Sequence, residues 1–191
     1  MSLKNQKTTS DYLEWSRMQT LVLKLERDNE LKFALLISVG SYIGLRISDL
    51  LQLRWEQLLH KESFTIIEKK TGKHRNITIN PELQEIIQRL YSKIEATPEE
   101  YLFINRFGKK PISVQYVNSK LKEIFKHYGI SGQYSSHFMR KTLGRRIYEA
   151  NKHSDHALLM LSHLFNHSSI ANTRIYLGLR DQEISNLYLS V

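Results

Sequence analysis

Two short segments of the chain each place a basic side chain one helical turn from a second polar group. Arg46 and Asp49 lie in the segment GLRISDL, and His137 and Arg140 lie in the segment SHFMRKT. An arginine oriented by a carboxylate can grip a phosphate through two parallel N–H bonds, and a helix N-terminus also favours an anion. Each pair taken singly is more typical of a solvated surface than of a functional site. The chemistry indicated is binding or transfer of a phosphate group.

Three further side chains are candidates for acid–base or nucleophilic chemistry. Lys70 lies in the turn sequence KKTGK, His167 lies in NHSSI, and Tyr176 follows nine residues later. By itself, a histidine before a helix can serve as a cap and a tyrosine is most often an amphipathic core residue. His163 and His167 have the i, i+4 spacing of a zinc pair, but no cysteine or glutamate pair completes a site. We therefore expect no metal.

Charge and composition limit the classes of partner that the protein is expected to bind. Lys and Arg number 28 against 19 Asp and Glu, a net charge of +9, which favours a polyanionic partner and nucleic acid ahead of a membrane surface. The Walker, GxGxxG and GxSxG motifs are absent, so no cofactor and no small-molecule substrate are expected. The apolar run at 33–45 is too short to cross a bilayer, and the polar N-terminus has no apolar core of a signal peptide. These features indicate a cytoplasmic protein.

The spacing of apolar residues predicts a mainly helical domain with one small antiparallel β-hairpin. Strands are expected at 64–67 and 76–79, joined by a turn at 69–73 that contains Gly72. Helices are predicted from apolar i, i+3, i+4, i+7 patterns and capping residues over 10–29, 31–43, 47–53, 81–90, 113–129, 137–150, 154–161 and 168–176. In this arrangement Ser10, Asn80, Ser113 and Ser154 are the expected N-caps, as are Ser135 or Ser136 and Ser168 or Ser169.

Taken in order along the chain, the motifs resemble the tyrosine recombinase (phage integrase) family. The resemblance covers residues 31–179, nearly all of that family's catalytic domain, and it rests on five weak motifs in the right order. It implies the fold of that domain, and it implies that the residues at the matching positions of this chain are catalytic. The catalytic residues so implied are Arg46, Lys70, His137, Arg140, His167 and Tyr176, with Asp49 steadying the first arginine.

The resemblance also implies a mechanism and partners. Tyr176 would attack a DNA phosphodiester to give a 3′-phosphotyrosyl link, Arg46, Arg140 and His167 would stabilise the transition state, His137 would assist the tyrosine, and Lys70 would protonate the leaving 5′-oxygen. Lys70 is preferred to Lys69 and Lys73 because the lysine of the family stands directly before the turn residues, as Lys70 stands before Thr71 and Gly72, and because alternation places Lys69 on the opposite face. The expected partners are double-stranded DNA and further copies of the chain in a tetrameric synapse, which would place the protein on the nucleoid.

Two departures from the family pattern accompany the resemblance. Phe165 and Asn166 precede His167 where the family has a glycine, which alters the turn and leaves the imidazole in place. Only 45 residues precede Arg46, so residues 1–191 are expected to form a single catalytic domain without a separate core-binding domain. The apolar tail at 177–191 would pack either on its own chain or on a neighbouring protomer.

Other functions remain open from the sequence. A DNA-binding module without catalysis would use the same basic surface, and a relaxing enzyme like the type IB topoisomerases would use the same chemistry. The sequence does not separate integration, excision, inversion and resolution of chromosome dimers, and it does not give the DNA site because base contacts are not readable from it.

Overall fold

The computed structural model describes residues 10–108 and 110–190, with the backbone alone at 180–183. The described chain is mainly helical and contains a two-stranded antiparallel sheet, which confirms the predicted fold class. The helices are α1 (Trp15–Arg27), α2 (Leu31–Ile43), α3 (Ile47–Leu50), α4 (Pro81–Tyr91), α5 (Val114–His127), α6 (His137–Ala150), α7 (Asp155–Phe165), α8 (Ile170–Leu177) and α9 (Leu179–Leu189). The strands are β1 (Ser63–Ile67) and β2 (His74–Thr78). None of the described helices is long and apolar enough to span a bilayer.

Helix α2 is the centre of the larger core. It is apolar on every side, and residues 33–41 are buried throughout, as expected for a helix enclosed by others. Helices α1, α4 and α6 pack against it. It ends at Gly44, which has φ +66° and whose Cβ would lie 2.5 Å from Leu143 Cδ2, so both the backbone and the packing require glycine. Arg46 lies two residues later, at the N-cap position of α3.

The hairpin lies beside the larger core and presents its turn to solvent. Its register pairs Ser63 with Thr78 and Ile67 with His74. Alternation along β1 buries Phe64 and exposes Thr65, as the period of two predicts. The second strand begins two residues before the predicted 76–79, because cross-strand hydrogen bonds extend to the turn.

A smaller core joins the last four helices. Tyr148 on α6, Phe165 on α7 and Leu177 on α8 are buried in it. Gly144 on α6 allows the close approach, since a Cβ there would lie 2.6 Å from Leu177 Cδ2 and 2.9 Å from Phe165 Cε2. Helix α6 contacts both cores, with Phe138 and Met139 in the larger one and Tyr148 in the smaller one.

The predicted helix ends are mostly confirmed. The side chains of Asn80, Ser113, Ser154 and Ser169 each accept a backbone N–H bond in the first turn of their helices. Ser136 occupies the N-cap position of α6 but makes no capping bond.

Two predictions about helices were wrong, and one helix was not predicted. Helix α1 begins at Trp15, and Ser10 instead accepts a hydrogen bond from Ser135 N at 3.1 Å, which pins the chain before α1 to the start of α6. Helix α3 stops at Leu50, because the chain turns there toward Trp55. The tail beyond Gly178 forms a further helix, α9, which the sequence analysis treated only as an apolar segment.

Candidate active site

Arg140 is the most enclosed of the predicted site residues. It projects from the first turn of α6 and is 4% exposed. Its Nη1 donates to the Gly44 carbonyl at 2.9 Å, its Nη2 donates to the Phe165 carbonyl at 2.6 Å, and the guanidinium lies over the Phe165 ring. Burial lowers the pKa of Arg140 to about 10, so the side chain is still cationic at neutral pH. Two helix ends therefore hold a buried positive charge in a fixed orientation.

Arg46 lies close to Arg140 and shares a partner with it. Its Nη2 also donates to the Phe165 carbonyl, at 3.4 Å, and its Nη1 donates to Glu68 Oε2 at 2.8 Å. About a fifth of the Arg46 side chain is exposed, so it can reach a ligand from the surface. The structure thus brings the two predicted arginines together around one carbonyl oxygen.

The expected pair between Arg46 and Asp49 is not what the structure shows. Arg46 has extended backbone angles before α3 begins, so the i, i+3 spacing of a helix does not bring the two side chains together. Asp49 is buried and its Oδ1 instead accepts the Lys69 backbone N–H at 3.1 Å, which ties α3 to the hairpin turn. Glu68 is the carboxylate that pairs with Arg46.

Tyr176 is in the last turn of α8 and points into the junction of the two cores. Its ring meets Phe165 and His167 edge to face, with centroids 5.6 Å and 5.1 Å away. Its buried hydroxyl makes no hydrogen bond with any described residue. Burial raises the pKa of Tyr176 to about 12, although the charges of Arg140 and Arg46 act in the opposite direction.

His167 follows the turn at the end of α7. Its Nδ1 is hydrogen-bonded to Thr173 Oγ1 at 3.0 Å, and its backbone N–H donates to the Ser162 carbonyl at 2.9 Å. Burial, together with the charges of Arg140 and Arg46, lowers the pKa of His167 to about 4, so the imidazole is neutral at physiological pH. Asn166, where the family has glycine, adopts φ +52°, a left-handed conformation that asparagine tolerates better than most residues.

His137 and Lys70 lie at the edge of this cluster. His137 is exposed at the start of α6, but partial loss of hydration and the charges of Arg140 and Lys141 lower its pKa below the usual value. Lys70 is on the exposed hairpin turn, and Lys73 on the same hairpin donates to Asn166 Oδ1 at 3.3 Å.

The sequence analysis missed three residues that the structure places at the site: Glu68 on Arg46, Thr173 on His167, and Lys141, whose Nζ lies 5.4 Å from the Tyr176 ring centroid. A signal existed for Glu68, since it continues the inward alternation of Phe64 and Ile66 and is thus an inward-facing carboxylate. Among the described residues there is no group of three or more His, Cys, Asp or Glu side chains that could hold a metal ion.

Comparison with known proteins shows the family to which this chain belongs. The phage integrase family matches residues 12–183, which include every predicted site residue. The chain belongs to the phage integrase family. This integrase-family chain is 31% identical over 171 residues to the probable integrase/recombinase YoeC of Bacillus subtilis, covering 89% of this chain and 87% of that protein. It is 27% identical over 173 residues to a tyrosine recombinase of Thermosipho africanus, covering 91% of this chain and 59% of that protein.

Solved structures agree with this integrase-family assignment at the level of the fold. XerA recombinase superposes with a TM-score of 0.71 at 18% identity, over 97% of this chain and 65% of that one. The Tn1549 transposon integrase in complex with circular intermediate DNA gives a TM-score of 0.66 at 21% identity, over 91% of this chain and 62% of that one. The integrase-family chain therefore has the fold of a tyrosine recombinase catalytic domain and spans about three fifths of several longer relatives.

Proposed function

We propose that this chain is a site-specific recombinase that cleaves and rejoins double-stranded DNA through a 3′-phosphotyrosyl intermediate at Tyr176. The observation that carries the proposal is the buried Tyr176 hydroxyl, which has no hydrogen-bond partner among the described residues and lies beside two oriented arginines and a neutral imidazole. A phenol oxygen that is not engaged in a hydrogen bond is available to attack a phosphorus atom placed beside it.

Arg46 and Arg140 would stabilise the transition state. Each still has N–H groups beyond those bonded to protein, and these would donate to the non-bridging oxygens of the phosphate as negative charge grows on them. Because Arg140 is fixed by two carbonyls, little reorganisation is needed at the moment of reaction. His167 would add a donor through Nε2–H, which requires that Thr173 donate to Nδ1.

The cleavage step also requires a base for the phenol proton and an acid for the leaving 5′-oxygen. The phenolic oxygen of Tyr176 forms a bond to phosphorus while the bond from phosphorus to the 5′-oxygen breaks. His137, neutral at physiological pH because its pKa is lowered, is the proposed acceptor of the phenol proton. Lys70, on an exposed turn, would donate a proton to the 5′-oxygen. One phosphodiester is exchanged for another, so the reaction needs no external energy source.

The proposal includes further copies of the chain as partners. Near the end of α9, Leu187, Tyr188 and Leu189 are 69%, 78% and 82% exposed, an apolar surface that a neighbouring protomer would cover in a tetramer on DNA. An excess of nine positive charges suits a protein bound to DNA on the nucleoid. We also propose that the described residues act as a single catalytic domain.

The test begins by finding the DNA. Tagged wild-type protein and a Tyr176→Phe variant are expressed in a bacterial host carrying random genomic fragments, cells are lysed directly into denaturant, and DNA that stays attached to the protein is sequenced. The wild type should retain fragments that share one sequence and the variant should retain none. Salt-sensitive binding by both proteins with no retained DNA would indicate a DNA-binding module instead, and nicking or relaxation without a shared sequence would indicate topoisomerase-like activity.

A further inference from the structure

Glu68 is a buried carboxylate at the point where β1 enters the hairpin turn. It is 3% exposed. Its Oε2 accepts from Arg46 Nη1 at 2.8 Å and from the Thr71 hydroxyl at 2.9 Å, and its Oε1 lies 3.6 Å from Arg75 Nη1. Burial alone would raise the pKa of the Glu68 carboxyl, but the bonds from Thr71 and Arg46 and the charge of Arg75 lower it below the usual value. Glu68 is therefore ionised at neutral pH.

The surrounding charges show why a carboxylate is needed there. Arg46, Arg75 and Arg140 lie near enough to one another that each positive charge disfavours the others, and two of the three are largely desolvated. Arg75 Nη2 donates to the Ile43 carbonyl at 3.1 Å, so it cannot move away without losing that bond. Without Glu68, Arg46 keeps only its longer bond of 3.4 Å to the Phe165 carbonyl, so repulsion from the other two arginines would push it toward solvent.

Glu68 also defines the turn that carries Lys70. Its backbone N–H donates to the Lys73 carbonyl at 3.0 Å, and its own carbonyl accepts from Gly72 N at 2.8 Å. The same residue therefore fixes the hairpin turn through its main chain and Arg46 through its side chain. A displacement of the hairpin turn would therefore also displace Arg46, because both are bonded to Glu68.

We propose that Glu68 is a positioning residue that orients Arg46 toward the phosphate and sets the placement of Arg46 relative to the hairpin turn carrying Lys70. The inference rests on the proposed recombinase function. Glu68 itself touches neither DNA nor the reacting atoms. It takes the role that the sequence analysis gave to Asp49, from a position 22 residues away from Arg46.

The experiment measures single-turnover cleavage of a nicked duplex carrying the site recovered above, with DNA affinity measured in parallel. Glu68→Gln keeps the size of the side chain and removes its charge, and Glu62→Gln, at an exposed position just before β1, is the matched control. Glu68→Gln should slow cleavage at saturating DNA on the order of ten- to a hundredfold with affinity unchanged or tighter, since a negative charge beside the phosphate is lost. Glu62→Gln should cleave like the wild type.

A double-mutant cycle separates positioning from general stability. In an Arg46→Ala background, Glu68→Gln should slow cleavage by less than about twofold more, because the residue it acts through is gone. A full additional slowing there would overturn the proposal, as would wild-type cleavage by Glu68→Gln. If Glu68→Gln fails to fold, Thr71→Val removes one hydrogen bond to the same carboxylate and must slow cleavage to a smaller extent, and no slowing would again overturn it. Absence of any wild-type adduct would instead contradict the proposed function.

Discussion

Adding one methyl group at Gly144 tests whether the packing of α6 against α8 positions Tyr176, the proposed nucleophile. The Cβ of Gly144→Ala would lie 2.6 Å from Leu177 Cδ2 and 2.9 Å and 3.1 Å from two atoms of the Phe165 ring. Apolar carbons rest about 3.5–4.0 Å apart, so α8 or the ring must move by about 1 Å. Leu177 adjoins Tyr176, and Phe165 supplies the carbonyl that Arg46 and Arg140 share.

The expected losses of stability and of activity differ in size. Overpacking costs about 1–3 kcal/mol, while alanine recovers about 1 kcal/mol of helix propensity over glycine, which leaves a net destabilisation of about 0–2 kcal/mol. For a chain of this length that lowers Tm by at most several degrees. A displacement of about 1 Å between reacting groups costs on the order of a hundredfold in rate. The cleavage rate should therefore fall by far more than the small loss in the free energy of unfolding would explain.

The assay pairs thermal unfolding with single-turnover cleavage of the recovered site at saturating DNA. Gly40→Ala is the control, since it also adds a methyl group inside a buried helix, but the closest atom there is the flexible Met139 sulfur. That variant should lose little activity beyond its loss of stability. If folded Gly144→Ala cleaves within about threefold of the wild type, the contact between α6 and α8 does not position Tyr176 and the reasoning is refuted.

Three further outcomes follow from the site. Because burial raises the pKa of Tyr176 to about 12, the phenol is un-ionised from about pH 7 to about pH 9 and needs a base, and the proposed base His137, whose pKa is lowered, is neutral over that range. The cleavage rate should therefore stay level there, and a rise of about tenfold per pH unit would contradict the role of His137 as the base. Lys70→Ala should recover cleavage on a substrate with a 5′-bridging sulfur, which needs no general acid, and recovery of Lys73→Ala instead would reassign the role. Thr173→Val should slow cleavage about tenfold and Thr173→Ser should restore it, because the hydroxyl holds the His167 tautomer; equal rates for both variants would exclude that role.

Local rules account for much of the fold. Capping side chains such as Asn80 and Ser154 accept bonds from backbone groups two or three residues away, so sequence patterns found these helix starts. The hairpin followed from β-branched residues on both sides of a glycine turn. Ser10 was misjudged as a cap because its actual partner, Ser135, is 125 residues away and no local pattern reports it.

Some features of the candidate site could also be predicted from the sequence, and others could not. The order of the motifs, through the resemblance to the tyrosine recombinases, proposed the arginines, histidines and tyrosine, and the structure brings Arg46, Arg140, His167 and Tyr176 into one cluster. The partner of Arg46 could not be obtained from spacing, because the hairpin folds back and brings Glu68 nearer than Asp49. The hydrogen bond between Thr173 and His167 depends on the first turns of α8 folding back over the turn after α7. The fold of the chain beyond a single helical turn therefore determines which groups bond to Arg46 and His167.

The most direct test of the central claim is to identify the residue that becomes bonded to DNA. Wild-type protein is mixed in EDTA with a nicked duplex of the recovered site, whose short cleaved strand diffuses away and prevents rejoining. The adduct is denatured, digested with nuclease and protease, and mapped by peptide mass. The account predicts a nucleotide on Tyr176, no adduct with Tyr176→Phe, and nearly unchanged DNA binding by that variant, which lacks only a hydroxyl. An adduct on Tyr148, Tyr188 or any other residue would contradict it.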